Sequence, residues 1–332
     1  RDPALAGVSL TVSEVRVSPD LKNATCFVTP LGASTHTGPD GNADEDRVVE
    51  ALKRASAFLR GQVAREVRLK YMARVRRLFN AAKAGHGGTL DPFATGLLPI
   101  AFGEATKTVQ YVMDGAKTYR FTVTFGEETD TLDTEGAVTA RSDHLPERAA
   151  IEAALPAFTG TISQVPPQFS AIKVNGERAY DRARKGETSD LAARPVSVQA
   201  LTLVETPSAA EAILEVRCGK GTYVRALARD LARHLGTVGH VTQLRRTAVA
   251  GFAETAAISL DALEQVGHNP PALAEYLLPI EAALDGIPAM ALNEAETRRL
   301  RNGQAVSLLR KIDLDRIAGL VDGDELVALH RG

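Results

Sequence analysis

The sequence predicts an α+β protein, and two kinds of periodicity say so. Apolar residues alternate with polar ones through Leu10–Val17, Tyr119–Phe125 and Ala212–Cys218, the period of a half-buried strand. Elsewhere apolar residues recur every three or four positions: at Val48, Leu52, Leu59, Val63 and Val67, and again at Val224, Leu227, Leu231 and Leu235. That is the stripe of a helix packed by one face, and Gly236 closes the second stripe. With 332 residues the chain has room for two or three domains.

Composition narrows the class. Hydrophobic residues make up 44% and charged residues 24%, the profile of a soluble globular protein. No apolar run reaches the length of a membrane span, and no charged-then-apolar leader opens the chain, so neither a membrane nor export is expected. The two cysteines, Cys26 and Cys218, make neither a disulfide framework nor a zinc pattern, and a reducing cytoplasm fits. The net charge of -2 argues against wholesale wrapping of nucleic acid, but its distribution is uneven. Between Ala51 and Ala84 ten cations (Lys53, Arg54, Arg60, Arg65, Arg68, Lys70, Arg74, Arg76, Arg77, Lys83) face one acid, Glu66. Such a stretch is either a solvated helix face or an electrostatic footprint for a polyanion, RNA or DNA.

Taken in order, residues 8–18 and 24–29 read as strands joined through Pro19–Asn23. The first slips by one between Val12 and Val15, which predicts a β-bulge. Residues 32–46 are rich in Gly, Ser, Thr, Pro and Asp and read as a loop. A helix follows over 47–70, with small residues Ala55-Ser56-Ala57 in its middle. No Gly/Ser- or Pro-rich spacer separates it from what comes next.

Gly85 to Gly103, GHGGTLDPFATGLLPIAFG, holds a single acid, Asp91. Pro92 fixes its own φ and biases Asp91 away from the helical region, and Gly85, Gly87 and Gly88 allow close backbone approach just upstream. The arrangement suits one rigid carboxylate presented from a shaped loop, the kind of place where catalysis sits. It equally suits an Asp that makes a turn hydrogen bond before a proline. The stretch is neither a Walker loop, since it lacks Gly-Lys-Ser/Thr, nor a dinucleotide fingerprint, since Leu90 stands where the third glycine belongs.

Two families are resembled. Arg1-Asp2-Pro3, VRVSPDLKNATCFV and ALKRASAFLRGQVAREVRLKYM make residues 1–73 similar to ribosome-binding factor A, a KH-type domain. The likeness lacks one helix before it and one strand after it. It implies small-ribosomal-subunit RNA as a partner of this segment. From Val75 to the end, VRRLFNAAKAGHGGTLDPFATGLLPIAFGEATK, Thr129–Asp133, VPPQFSAIKVNGERAYDRARKG, GKGTYVRALARDLARHLG and Leu244-Arg245-Arg246-Thr247 resemble the TruB family of tRNA pseudouridine synthases. The family's Lys-Pro-x-Gly-x-Thr-Ser motif does not precede Val75, and Gly87 stands where the family usually has Thr.

The second resemblance implies a mixed or antiparallel-sheet catalytic domain over 74–276 and a partial PUA-like β-barrel over 277–332. The reaction it implies breaks the C–N glycosidic bond of a flipped-out uridine in the T loop of tRNA, turns the uracil, and joins its C5 to the sugar. That needs a carboxylate, as nucleophile or as general-base partner, and no metal or other cofactor. By resemblance Asp91 is that carboxylate, Arg225 pairs with it, Tyr119 stacks on the target base, and Leu244 is an apolar wall. His86 and Tyr223 fall among the RNA-binding residues, and Lys83, Arg245 and Arg246 are expected at phosphates. Each has a plainer reading: surface charge for the cations, core packing for Tyr119 and Leu244, and a turn residue, base or metal ligand for His86. The partner expected is tRNA, bound by a monomer.

Overall fold

The structure, a computed structural model, describes residues 9–17, 24–31, 72–91, 93–170, 172–174, 177–184, 186–284, 289–306, 318–322 and 325–330. The helix expected over 47–70, the loop over 32–46, the connection Pro19–Asn23, Pro92, and the cations Lys53, Arg54, Arg60, Arg65, Arg68 and Lys70 lie outside these described residues. Two compact units divide the chain: Arg1–Val63 with Ala171–Ser189, and Ala64–Ser170 with Asp190–Gly332.

The elements begin with β1 (Ser9–Val17) and β2 (Ala24–Leu31), an antiparallel pair. Val12 lies opposite Val28 and Glu14 opposite Phe27, so Ser13 is the extra residue of the bulge that the slipped alternation foretold. Residues 72–78 are helical (α1). Then come β3 (Ala84–His86), β4 (Thr95–Gly96), β5 (Ile100–Phe102) and α2 (Val109–Asp114). The long strand β6 (Lys117–Phe125) leads to β7 (Glu127–Thr129), β8 (Val138–Arg141), α3 (Arg148–Ala154) and β9 (Gly160–Gln164). The pattern that predicted one helix over Pro146–Phe158 is split. α3 ends at Ala154 and a 3-10 turn over Leu155–Phe158 follows, because Pro156 has no N–H with which to continue an α-helix.

The insertion that belongs to the first unit carries β10 (Lys173–Val174), β11 (Glu177–Arg178) and α4 (Ala179–Arg184). The second unit resumes with β12 (Arg194–Ser208), β13 (Glu211–Cys218), α5 (Val224–His234), β14 (Gly239–Val249) and β15 (Phe252–Ala253). Two short helices, α6 (Leu260–Val266) and α7 (Pro270–Ala274), precede β16 (Ala289–Ala291), α8 (Glu294–Arg301), β17 (Ala318–Asp322) and β18 (Glu325–His330). The last three strands form their own sheet, in the order β16-β17-β18.

The second unit is organised on a sheet in the order β15-β14-β6-β13-β12-β9, antiparallel throughout, with β4 added to β14 in parallel. The expectation of a mixed, largely antiparallel sheet is met. Alternation supplies one apolar face: Phe121, Val123 and Phe125 of β6, Ala212, Leu214, Val216 and Cys218 of β13, and Val241 and Leu244 of β14 are all buried. α5 lays Val224, Leu227, Ala228, Leu231 and Ala232 on that face. Each leucine so enclosed contributes roughly 1.5–3 kcal/mol relative to an exposed one. The N-terminus of α5 is fixed from β9. Gln164 is 1% exposed, and its Oε1 accepts from the Tyr223 N–H at 2.9 Å while its Nε2 donates to the Tyr223 carbonyl at 3.2 Å.

Cys218 ends the buried row of β13, and burial pushes its thiol up from 9.0 to about 11, the opposing effects of Thr222 and Lys117 being smaller. A folded-state pKa raised above the unfolded value means that the thiol's contribution is intact below pH 9 and is lost as the pH climbs through about 11. The stability of Cys218→Ala relative to the unsubstituted chain should therefore rise by up to about 3 kcal/mol across that window. Urea melts at intervals of half a pH unit check this; a constant difference would refute it.

Candidate active site

The Gly85–Gly103 stretch is a hairpin with a long tip. β3 and β5 close its base, with Ala84 opposite Phe102 and His86 opposite Ile100, and the Gly87 N–H adds a bond to the Pro99 carbonyl at 2.8 Å. Phe79, just beyond α1, packs its ring 4.8 Å from that of Phe102. The tip runs along the free edge of β14, where Thr95 pairs with Arg245 and Gly96 with Arg246. Gly96 has φ +101°, and a Cβ there would stand 2.2 Å from the Arg246 carbonyl oxygen, so only glycine fits. Gly87, where the resembled family has Thr, is also tightly packed: a Cβ would come 2.6 Å from Cγ1 of Val112 in α2. The departure from the family residue thus has a steric counterpart in this chain.

Within the tip, the Asp91 carbonyl accepts from the Ala94 N–H at 2.9 Å, a tight turn. Its carboxylate meets Arg225, from the first turn of α5. Arg225 Nε lies 2.9 Å from Asp91 Oδ2, and a terminal nitrogen, NH2, lies 2.5 Å from the same oxygen. Among the described contacts Oδ1 accepts no hydrogen bond, and the Asp91 side chain keeps 22% of its surface exposed. Arg225 itself is buried. NH1 donates to the Thr131 carbonyl at 2.7 Å and lies 3.3 Å from Asp133 Oδ2, while NH2 also donates to the Phe169 carbonyl at 3.1 Å. Burial pulls the Arg225 pKa down, but the carboxylates of Asp91 and Asp133 outweigh it and the net shift is upward. Asp133 is pushed upward, burial exceeding the opposing effects of Arg225, the Thr131 hydroxyl and the Glu135 N–H.

Asp133 is held by a strained turn. Its Oδ1 accepts from Thr131 Oγ1 at 2.6 Å and from the Glu135 N–H at 2.9 Å. Leu132 between them is buried at φ +62°, a left-handed conformation that a bulky side chain adopts only under constraint. The constraint is visible: the Leu132 carbonyl accepts from the Val241 N–H at 3.0 Å, and Asp133 bridges Val241 in parallel. Asp133, Thr131 and Gln164 were not among the residues singled out from sequence. The Thr129–Asp133 block was noticed but carried no role; nothing local distinguished Gln164.

The other expected residues fall in different settings. Tyr119 lies half-buried on β6, directly opposite Arg246 on β14 and Val216 on β13. Burial raises its pKa, which keeps a neutral phenol, the opposing influence of Arg246 being smaller. Leu244 is opposite Phe121 and belongs to the core cluster. Tyr223 is the residue before α5, with the Arg194 guanidinium 5.5 Å above its ring. His86 is half-buried in β3. Lys83 is exposed just before β3, and Arg245 is exposed and paired with Glu254 at 2.7 Å. In the described part of the basic stretch, Arg74 pairs with Glu264, and Arg76 donates to the Ala81 carbonyl at 3.0 Å.

Arg246 corrects the expectation of a phosphate contact. It is 1% exposed, and its guanidinium donates to the carbonyls of Leu97 at 2.9 Å, Gly88 at 3.0 Å and Thr89 at 3.4 Å. The sequence placed it beside Arg245 as a second surface cation. In fact strand alternation turns the two side chains to opposite faces of β14.

The fold is similar to that of a chain in the crystal structure of a Cbf5-Nop10-Gar1 complex, with a TM-score of 0.60, 24% identity, and coverage of 79% of this chain and 73% of that one. A chain of the archaeal box H/ACA sRNP Nop10-Cbf5 complex matches with the same TM-score of 0.60 at 23% identity, covering 81% of this chain and 75% of that one. The class is therefore that of the Cbf5 type of sheet. Sequence goes further. A model of the TruB family pseudouridylate synthase N-terminal domain matches residues 76–224, and one of the tRNA pseudouridylate synthase B C-terminal domain matches 225–285. The tRNA pseudouridine synthase B of Caulobacter vibrioides is 54% identical over 267 residues, which are 78% of this chain and 86% of that protein. That of Bradyrhizobium diazoefficiens is 57% identical over 254 residues, 75% of this chain and 73% of that protein. This chain belongs to the TruB family of pseudouridylate synthases. A ribosome-binding factor A model matches residues 1–80.

Removing Arg225 would strand two carboxylates, one of them buried. Arg225→Met is expected to cost about 3–5 kcal/mol at neutral pH, as for a buried ion pair broken from one side. The deficit should shrink as the pH falls and Asp133 takes up a proton. Urea melts at neutral and acid pH measure it; a deficit that does not change with pH would count against the charge origin.

Proposed function

We propose that the protein is a tRNA pseudouridine synthase that isomerises a flipped-out uridine in the T loop, with Asp91 as its catalytic carboxylate. One observation carries the assignment: Asp91 has one oxygen bound twice by a buried arginine, while the other accepts nothing among the described residues and the side chain remains partly exposed. A carboxylate fixed from behind and open in front can act at the ribose or the base, as nucleophile or as proton acceptor. The relatives named tRNA pseudouridine synthase B support the substrate. Tyr119, half-buried one strand away and held neutral by burial, stacks on the turned base. Exposed Lys83 and Arg245, with His86 and Tyr223, contact the RNA around it. No metal or other cofactor enters this chemistry.

We assign residues 74–276 to catalysis. Residues 277–332, whose described part includes α8 and the three-stranded β16-β17-β18 sheet, are read as a PUA-like RNA-binding barrel, and residues 1–73 as an incomplete KH-like segment. Incubation with a T-arm stem-loop followed by pseudouridine mapping tests the main reading. The unsubstituted chain should convert the target uridine, and Asp91→Asn should lose at least roughly a thousandfold in rate, the scale on which triad-type catalytic groups act. No product from the unsubstituted chain, or equal product from Asp91→Asn, would sink the assignment.

A second reading rests on the match of residues 1–80 to ribosome-binding factor A. It adds small-subunit ribosomal RNA as a partner of the N-terminal segment. Co-sedimentation with small subunits should weaken on replacing Arg65 and Arg68 by Glu, and for the unsubstituted chain it should weaken as salt rises. Sedimentation indifferent to both changes would remove this partner.

A further inference from the structure

We infer that Arg246 is a positioning residue for the reaction, holding the Asp91 loop and Tyr119 in one frame rather than binding RNA; the inference rests on the function proposed above. Asp91 sits on a tip of irregular backbone, whose carbonyls on both sides need partners. Arg246 supplies them from a strand of the main sheet. Its Nε binds the Leu97 carbonyl at 2.9 Å on the far side of Asp91, and its two terminal nitrogens bind Gly88 and Thr89 at 3.0 and 3.4 Å on the near side. Its own backbone is engaged by the same loop: the Leu97 N–H donates to the Arg246 carbonyl at 2.8 Å, and Gly96 packs against it where no side chain fits. The guanidinium is 1% exposed, so no phosphate reaches it.

The same residue lies directly opposite Tyr119 across the β6–β14 ladder. The strand position that clamps the loop carrying the carboxylate is thus the one paired with the residue assigned to the base. Arg225 fixes the carboxylate head; Arg246 fixes the backbone from which it projects. A lysine does not match it, because the Leu97, Thr89 and Gly88 carbonyls are each met by a different nitrogen of a planar fork, whereas the donors of an ammonium radiate from one atom.

The test compares Arg246→Lys and Gly96→Ala with the unsubstituted protein. Gly96→Ala attacks the same contact from the loop side. For each variant the single-turnover rate on a T-arm stem-loop, the affinity for that RNA, the thermal melt, and amide hydrogen exchange over residues 88–97 are measured. A displacement of the carboxylate by about 1 Å can cost ~100-fold in rate. The expected result is a rate loss on the order of 10–100-fold with RNA affinity within about twofold of the unsubstituted chain, and faster exchange over the loop. A folded Arg246→Lys whose rate is unchanged, or whose affinity falls in step with its rate, overturns the inference. If Arg246→Lys does not fold, Gly96→Ala decides on the same two readouts. If the unsubstituted protein makes no pseudouridine, the proposed function fails on its own, and loop exchange unaltered by either variant would still overturn the clamp.

Discussion

A guanidinium buried in a protein interior must be neutralised and fully hydrogen-bonded, and this requirement at Arg225 shapes the centre of the molecule. The guanidinium rides on α5, and its partners come from three other places in the chain: the Asp91 tip, the Thr131–Asp133 turn and the Phe169 carbonyl after β9. Each is brought in by a different device. α5 is set by its apolar stripe on the sheet and by Gln164 at its start. The turn is held by the strained Leu132, and the tip by β14. A network of this kind confers definition more than stability, because two carboxylates sharing one cation in a desolvated place leave little room for alternative arrangements.

The asymmetry of the ion pair connects the fold to the chemistry. Both arginine bonds fall on Oδ2 of Asp91, and the partner Asp133 is held entirely by protein groups. Among the described residues the first carboxylate is left open on one side and the second is closed off. Two acids of the same type thus stand in different settings, one partly exposed and one buried against the cation, because one projects from a loop tip and the other from a turn bonded to β14.

The loop around Asp91 also explains how a short irregular segment can be rigid. It has its own hairpin base in β3 and β5, the Phe79–Phe102 ring contact beside it, and the edge of β14 along its tip. The Lys-Pro-x-Gly-x-Thr-Ser stretch that family resemblance would place before Val75 is absent from the sequence. The described contacts of the loop are made instead by residues from Phe79 onward in the chain.

Much of this was legible in the sequence. Alternation located β1 with its bulge, β6 and β13; the helical stripe with Gly236 located α5; and the long motif around Asp91, with GTYVR, named the two members of the ion pair. Those features are local, and local periodicity or a motif records them. The helix over Pro146–Phe158 was only partly legible, because Pro156 converts its end to a 3-10 turn. What the sequence could not assign was the use of polar side chains that act across the fold. Arg246 looked like Arg245, yet strand alternation turned one to solvent and the other onto three loop carbonyls. Asp133 and Gln164 acquired partners 92 and 59 positions away in the chain. By itself the sequence determined the family, the position of the main strands along the chain and the acid of the ion pair. Only the tertiary structure decided which cation is exposed and which holds the loop, because that depends on which face of a strand is buried and on what other segments the sheet brings against it.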